Sequence, residues 1–302
     1  MVYTLIAIFL LMALSSGCAT INSTDSESHE MALPKKELIA KTASDDYRLH
    51  PLINEKELHR RTLINAEYLF TNPNRHGHEL TAALSRAGLY ISTVKSILHK
   101  KGMPEELAWL PILESDYFPY AVSPAGATGL WQLMKGTAKD YGLKVDKHVD
   151  ERRDPEKSTI GAAKYLKSLY HIFGNWKLVV MGYNAGEHRI AELHALSQKK
   201  GIDILNNEKC PNETYYYPHY FVTILKIVSN PEGYGYDPII EKPWLSDYTT
   251  VEIKNKTPLK TLAQKHGVTV AAIRKLNPAL LGSSTPPYKY SVRLPTAPKF
   301  RV

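Results

Sequence analysis

A mainly helical body followed by a small β-α-α-β unit is the architecture this sequence predicts, and three observations carry it. Apolar residues recur at spacings of three and four from Leu49 to Val228, the period of a helical face. Strand-like alternation is scarce over that span. Near Pro238 to Pro243 the composition changes, and two alternating stretches then bracket two short helical ones. A chain of 302 residues with this apolar content accommodates two units, the first with a sizeable core.

The chain opens with an unbroken apolar run, Leu5 to Leu14, followed by Ser15-Ser16-Gly17-Cys18. The run is too short to span a bilayer and has the length of a signal-peptide core. Gly17-Cys18 resembles a bacterial lipobox, which makes residues 1–17 a signal peptide and Cys18 a lipidation site. No Lys or Arg precedes the run, and Ser15 stands where Leu is usual. Ala19 follows the cysteine, without the aspartate that marks inner-membrane retention, so the expected address is the periplasmic face of the outer membrane. Residues 18–48 are polar and weakly patterned, and they read as a tether. The other cysteine, Cys210, then has no partner, so no disulfide framework is expected.

The body is assigned to residues 49–243. Leu89, Ile91, Val94, Ile97 and Leu98 keep helical spacing, and Asn72-Pro73-Asn74 interrupts it as a loop. His76 and His78 have no Cys or carboxylate set around them and read as exposed loop histidines. Leu107, Leu110 and Leu113 form a stripe that ends beside Glu114. Asp154-Pro155 starts a helix that stops at Gly174. Another begins near Asn175-Trp176 and carries Leu178, Val179 and Val180 into Gly182-Tyr183-Asn184-Ala185-Gly186. A further apolar helix, Tyr220 to Val228, follows Glu213-Thr214-Tyr215-Tyr216-Tyr217-Pro218. Residues 244–302 form the second unit: strand Tyr248 to Ile253, helices Leu259 to His266 and Val270 to Leu276, and strand Tyr290 to Leu294.

Glu114 is the leading candidate for chemistry. A carboxyl on a buried stripe is disfavoured as an anion, so its pKa rises toward the range of a general acid. Taken singly, the other candidates have ordinary readings. Ser115 caps a helix, Gln132 is a surface amide, Asn184-Ala185-Gly186 is a helix end, and Tyr217 is a packed aromatic.

Their order and spacing change this. Glu114-Ser115, Gly129-Leu130-Trp131-Gln132, Gly182-Tyr183-Asn184 and Tyr217 resemble the soluble-lytic-transglycosylase-type catalytic domain, over roughly Leu58 to Tyr236 with a motif core at 102–220. Lys101-Gly102-Met103-Pro104 and Asp150 to Pro155 fit its membrane-bound members. That resemblance implies a lysozyme-like helical domain. Residues 244–302 resemble LysM, a peptidoglycan-binding unit, through Tyr248-Thr249-Thr250-Val251, Asn277-Pro278 and Leu294-Pro295. Two departures stand out. Tyr217 is followed by Pro218-His219 instead of Val-Pro, and Asn255-Lys256-Thr257-Pro258 replaces the usual Gly-Asp.

The resemblance implies cleavage of the MurNAc–GlcNAc bond of peptidoglycan, with Glu114 as the single catalytic carboxyl, acid first and then base. The product it implies is a 1,6-anhydro sugar. Ser115, Gln132, Tyr183, Asn184 and Tyr217 are the implied substrate-side residues. No metal, organic cofactor or obligate protein partner is implied; the partners are glycan strands and, through the lipid, a membrane. A hydrolase on the same fold and a non-catalytic wall-binding lipoprotein are the alternatives. The net charge of +8 suits anionic partners, but no basic stripe with interleaved aromatics points to nucleic acid.

Overall fold

The computed structural model describes residues 52–72, 74–241 and 248–296. The signal peptide, Cys18, the tether and the 243/244 boundary lie outside the described residues. Nine helices are described in the body: α1 (Arg60–Thr71), α2 (Gly77–Ala87), α3 (Ile91–Lys100), α4 (Leu110–Ser115), α5 (Lys135–Asp140), α6 (Pro155–Phe173), α7 (Trp176–Ala185), α8 (Glu187–Lys200) and α9 (Asn212–Ser229). The second unit is β1 (Tyr248–Ile253), α10 (Leu259–His266), α11 (Val270–Leu276) and β2 (Tyr290–Pro295). The strands pair antiparallel, with Val251 opposite Val292. The predicted class, mainly helical with a small sheet at the C-terminal end, is the one found.

Local chemistry sets the element ends. Asp154 accepts the N–H groups of Glu156 and Lys157 at the start of α6, a cap worth about 1 kcal/mol. Gly174 closes the same helix at φ 62°, a left-handed position that costs glycine little. Asn175 caps α7 through the N–H of Leu178. In the second unit, Thr269 caps α11 and Gly267 ends α10, which is why both boundaries are legible in the sequence.

Four expectations are corrected. The stripe that ends at Glu114 is not one helix: Glu105–Trp109 is 3₁₀, and α4 begins only at Leu110 with Pro111 in its first turn. α9 starts at Asn212, not Tyr220, and runs through Pro218. Pro218 cannot donate to the carbonyl one turn back, yet packing of α9 against α1, α4 and α7 keeps the helix intact there. His76 is half-buried, and His78 lies within α2, so neither sits in an open loop. Leu89 falls in the turn between α2 and α3, 40 % exposed.

The core of the body is built from residues such as Phe70, Leu98, Leu107, Trp131, Leu166, Val179 and Phe221, all buried. α6 lies between α3 and α7, and α9 crosses to α4. That last contact brings Tyr217 to Glu114. The second unit has its own smaller core of Leu259, Leu262, Ile273, Leu280, Val292 and Leu294, and Val149 of the body completes it, fully buried.

A buried ionic joint fixes the two units together. The Arg293 guanidinium donates to Asp154 and Glu156, and Lys157 donates to the Tyr290 hydroxyl at 2.9 Å. Backbone bonds Asp150 N–H to Ala279 O (2.9 Å) and Leu281 N–H to His148 O (3.0 Å) add to it.

Candidate active site

Glu114 lies in the last turn of α4 with its carboxyl enclosed, although the residue keeps some solvent access. Burial pushes its pKa up to about 8. The Tyr217 hydroxyl donates to its Oε1 and pulls the other way, while the charge of Glu213 adds a smaller upward push. Near neutral pH the group therefore carries a proton that it can give away, with Oε1 occupied and Oε2 left for a ligand. Burial raises the Tyr217 and Tyr183 hydroxyls well above their ordinary value, so both remain donors.

The Gln132 backbone is strained. Its φ of 44° lies in the left-handed region, as do Asp116 (51°) and Tyr117 (59°), the residues just after Glu114 and Ser115. Such positions cost about 1–3 kcal/mol each and persist only where surrounding bonds over-determine them. Three side chains from three elements supply those bonds. Ser115 in α4 donates to the carbonyl of Leu130 at 2.8 Å, and Tyr183 in α7 donates to that of Trp131 at 2.6 Å. Arg152, ahead of α6, donates to the carbonyl of Leu133 at 3.0 Å and of Gly126 at 2.8 Å. The carbonyls on both sides of Gln132 are thus gripped.

The Gln132 amide nitrogen donates to Gly129 O at 2.8 Å, and its Oε1 is buried without a partner. A buried acceptor without a partner is uncommon in a folded protein and marks a place where a donor is wanting. Gly129, at φ 83°, admits no side chain: a Cβ would lie 1.8 Å from the carbonyl oxygen of Arg152.

Asn184, at the end of α7, has both ends of its amide engaged. It donates to Glu213 Oε1 at 2.9 Å and accepts from Thr214 Oγ1 at 3.2 Å. Beside it Tyr183 leans on Tyr165, ring centroids 5.4 Å apart, and Tyr165 donates to Glu187 at 2.9 Å.

Hydrogen bonds tie these residues together in unequal ways: Tyr217 holds Glu114, Ser115 and Tyr183 hold the loop that carries Gln132, and Asn184 follows Tyr183 on α7 and bonds Glu213. Glu114 keeps some solvent access, and Gln132 Oε1 is buried with no hydrogen-bond partner. Ser115 is buried, and the hydroxyls of Ser115 and Tyr183 are spent on backbone carbonyls. Sequence reasoning missed Glu213 and Arg152. Glu213 lies four residues before Tyr217, on the same helical face, a signal hidden by placing the helix start at Tyr220. Arg152 bonds backbone carbonyls, which leave no mark in sequence. Among the described residues, no group of three or more His, Cys, Asp or Glu is arranged to hold a metal ion.

Comparison with known proteins gives two family matches. Residues 94–206 match the Transglycosylase SLT domain family, and residues 247–300 match the LysM-like domain of lytic transglycosylase MltD. The chain carries an SLT-type transglycosylase domain followed by an MltD-type LysM-like domain. It is 29 % identical over 234 residues to membrane-bound lytic murein transglycosylase D of Escherichia coli K12, covering 76 % of this chain and 48 % of that protein. The chain thus spans about half the length of this relative. Peptidoglycan transglycosylase gp16 of Escherichia phage T7 is 37 % identical over 98 residues, 32 % of this chain and 7 % of gp16. The 70 kDa soluble lytic transglycosylase SLT70 of Escherichia coli aligns in structure with a TM-score of 0.39 at 27 % identity, over 51 % of this chain and 26 % of SLT70.

Proposed function

We propose that the protein is a peptidoglycan lytic transglycosylase. The observation that carries this is the enclosed, proton-bearing carboxyl of Glu114, held by Tyr217. The family matches supply the substrate class.

In this mechanism Glu114 protonates the oxygen that joins MurNAc C1 to GlcNAc, and that C1–O bond breaks. The acetamido oxygen of MurNAc stabilises the positive charge at C1. Glu114, now anionic, takes the proton of the C6 hydroxyl while O6 bonds to C1. The products are a GlcNAc with a free hydroxyl and a 1,6-anhydroMurNAc end; no water is consumed. Gln132 Oε1 accepts an N–H or O–H of the sugar. Ser115, Tyr183 and Arg152 hold Gln132 in place, and Asn184 holds Glu213. We place the protein in the cell envelope, anchored by lipid on Cys18, with glycan strands as its partner. No described helix is long and apolar enough to cross a membrane.

Product analysis tests this. Purified peptidoglycan is digested with the chain from residue 19 onward, alongside Glu114→Gln, and soluble products are weighed by mass spectrometry. Anhydro-muropeptides from the unsubstituted protein alone support the reading. Reducing ends would make it a hydrolase, and wall binding without products from either would make it a binding protein.

A further inference from the structure

A cleft between α2 and the segment 236–240 is not used by the mechanism. Its volume is about 360 Å³, within the range of small-molecule sites, about 300–1,000 Å³. Leu84 of α2 and Leu89 just beyond it form one side, and Pro238 and Ile239 form the other. That second side is fixed at both ends, so the cleft is preformed. The buried Tyr236 donates its hydroxyl to the Phe70 carbonyl, and Glu241 pairs with Lys95 of α3 at 3.2 Å. The Ile240 carbonyl packs against Gly88, where a Cβ would stand 2.4 Å from its oxygen.

Two opposite charges line the cleft, Arg86 from α2 and Asp237 from the facing segment. They are not joined to each other, and among the described residues neither forms an ion pair. Arg86 spends its Nε on the carbonyl of Asp116 at 2.7 Å, and among the described residues none accepts a hydrogen bond from its Nη1 or Nη2. The Asp116 carbonyl belongs to the turn that follows Glu114 and Ser115, where Asp116 (φ 51°) and Tyr117 (φ 59°) are both left-handed. One guanidinium thus lines the cleft and grips the strained turn next to Glu114.

We propose that this cleft is an effector site for a small zwitterion with an apolar body, an amino acid such as leucine, and that Arg86 couples its occupancy to Glu114. The ligand carboxylate takes the free fork of the guanidinium, its ammonium meets Asp237, and its hydrocarbon lies against Leu84, Leu89 and Ile239. A guanidinium held by a ligand on one side holds the Asp116–Tyr117 turn more firmly on the other, which fixes Glu114 in orientation and raises kcat. Arg86 is a positioning residue that acts through that turn. The site stands on the cleft itself; its effect on kcat rests on the transglycosylase reading above.

Calorimetry on the chain from residue 19 onward tests the site with three probes of one shape: leucine, 4-methylpentanoate, which lacks the ammonium, and 3-methylbutylamine, which lacks the carboxylate. Leucine should bind roughly fivefold tighter than either analogue. Asp237→Asn should bring leucine down to the level of 4-methylpentanoate and leave cleavage without ligand unchanged. On soluble glycan strands, saturating leucine should raise kcat about fivefold with KM unchanged. Arg86→Gln should lower basal kcat and abolish the response, and Arg86→Lys should recover part of the basal rate. Leucine should also slow hydrogen exchange at the amides of Asp116, Tyr117 and Phe118, and Arg86→Gln should abolish that slowing. No binding of leucine, or equal binding of leucine and 4-methylpentanoate, overturns the site. Binding that changes neither kcat nor exchange overturns the coupling through Arg86. If the unsubstituted protein cleaves nothing, the transglycosylase reading fails, while calorimetry and exchange still decide the site and the coupling.

Discussion

The Tyr217 hydroxyl donates to Glu114 Oε1, joining the middle of α9 to the end of α4. This bond favours the charged carboxylate, whereas burial favours the neutral acid, and burial prevails. Tyr217→Phe should therefore raise the Glu114 pKa further. In kcat/KM profiles on soluble glycan strands, the fall in rate at alkaline pH moves to higher pH. The maximum rate drops by about tenfold, the worth of one lost charge-assisted hydrogen bond.

Glu213→Gln should move the same limb the opposite way. The substitution removes a negative charge that disfavours ionisation of Glu114, while its side-chain oxygen still accepts from Asn184. Opposite shifts from Tyr217→Phe and Glu213→Gln would locate the titrating group between them. Shifts of the same sign would remove Glu114 from that role.

Glu114 also predicts a stability slope. Its folded pKa of about 8 exceeds its ordinary value, so the native state keeps a proton that the unfolded chain has released. Stability therefore declines as pH rises from about 4.5 to about 8. Melting temperatures of Glu114→Gln should lack that contribution, and the variant should be the more stable above about pH 8.

Arg152 holds the Gln132 loop at Gly126 and Leu133 while its Nε and Nη2 meet Asp150. Arg152→Ala strands a buried carboxylate and frees the loop, with an expected loss of about 3–5 kcal/mol in denaturant unfolding. Arg152→Lys should recover little, because an ammonium cannot reproduce the fork of the guanidinium.

His219 predicts an acid-side effect. It is buried and accepts the His59 N–H on Nε2 at 3.1 Å, so Nδ1 carries the proton and donates to Tyr215 O at 2.8 Å. Burial lowers its pKa to about 4, so stability is lost as pH falls from about 6.5 toward 4. His219→Ala should cost roughly 3 kcal/mol at neutral pH and flatten that acid dependence, read from urea midpoints across pH.

What is legible in the sequence follows from where the signals are local. The C-terminal helices can be placed to the residue because Thr269 and Gly267 punctuate them. The limits of α6 follow from Asp154-Pro155 and Gly174. The start of α9 is hidden because Pro218 and a run of tyrosines look like an interruption, and only contacts with α1, α4 and α7 override it. Glu114 can be picked out by the buried stripe it ends. The grip on Gln132 has no counterpart in sequence: Ser115, Tyr183 and Arg152 come from separate regions, and their acceptors are main-chain carbonyls.

Val149 belongs by chain to the body and by packing to the other unit's interior. Expressed by itself, the segment from residue 248 onward would present an empty socket where that valine sits, and would open its small hydrophobic centre to water. Recombination that exchanged only the tail with a relative's would have to carry along the loop around Val149. The packing unit is therefore larger than the stretch from residue 248 onward, and swapping experiments should keep the loop from Asp146 to Val149 with it.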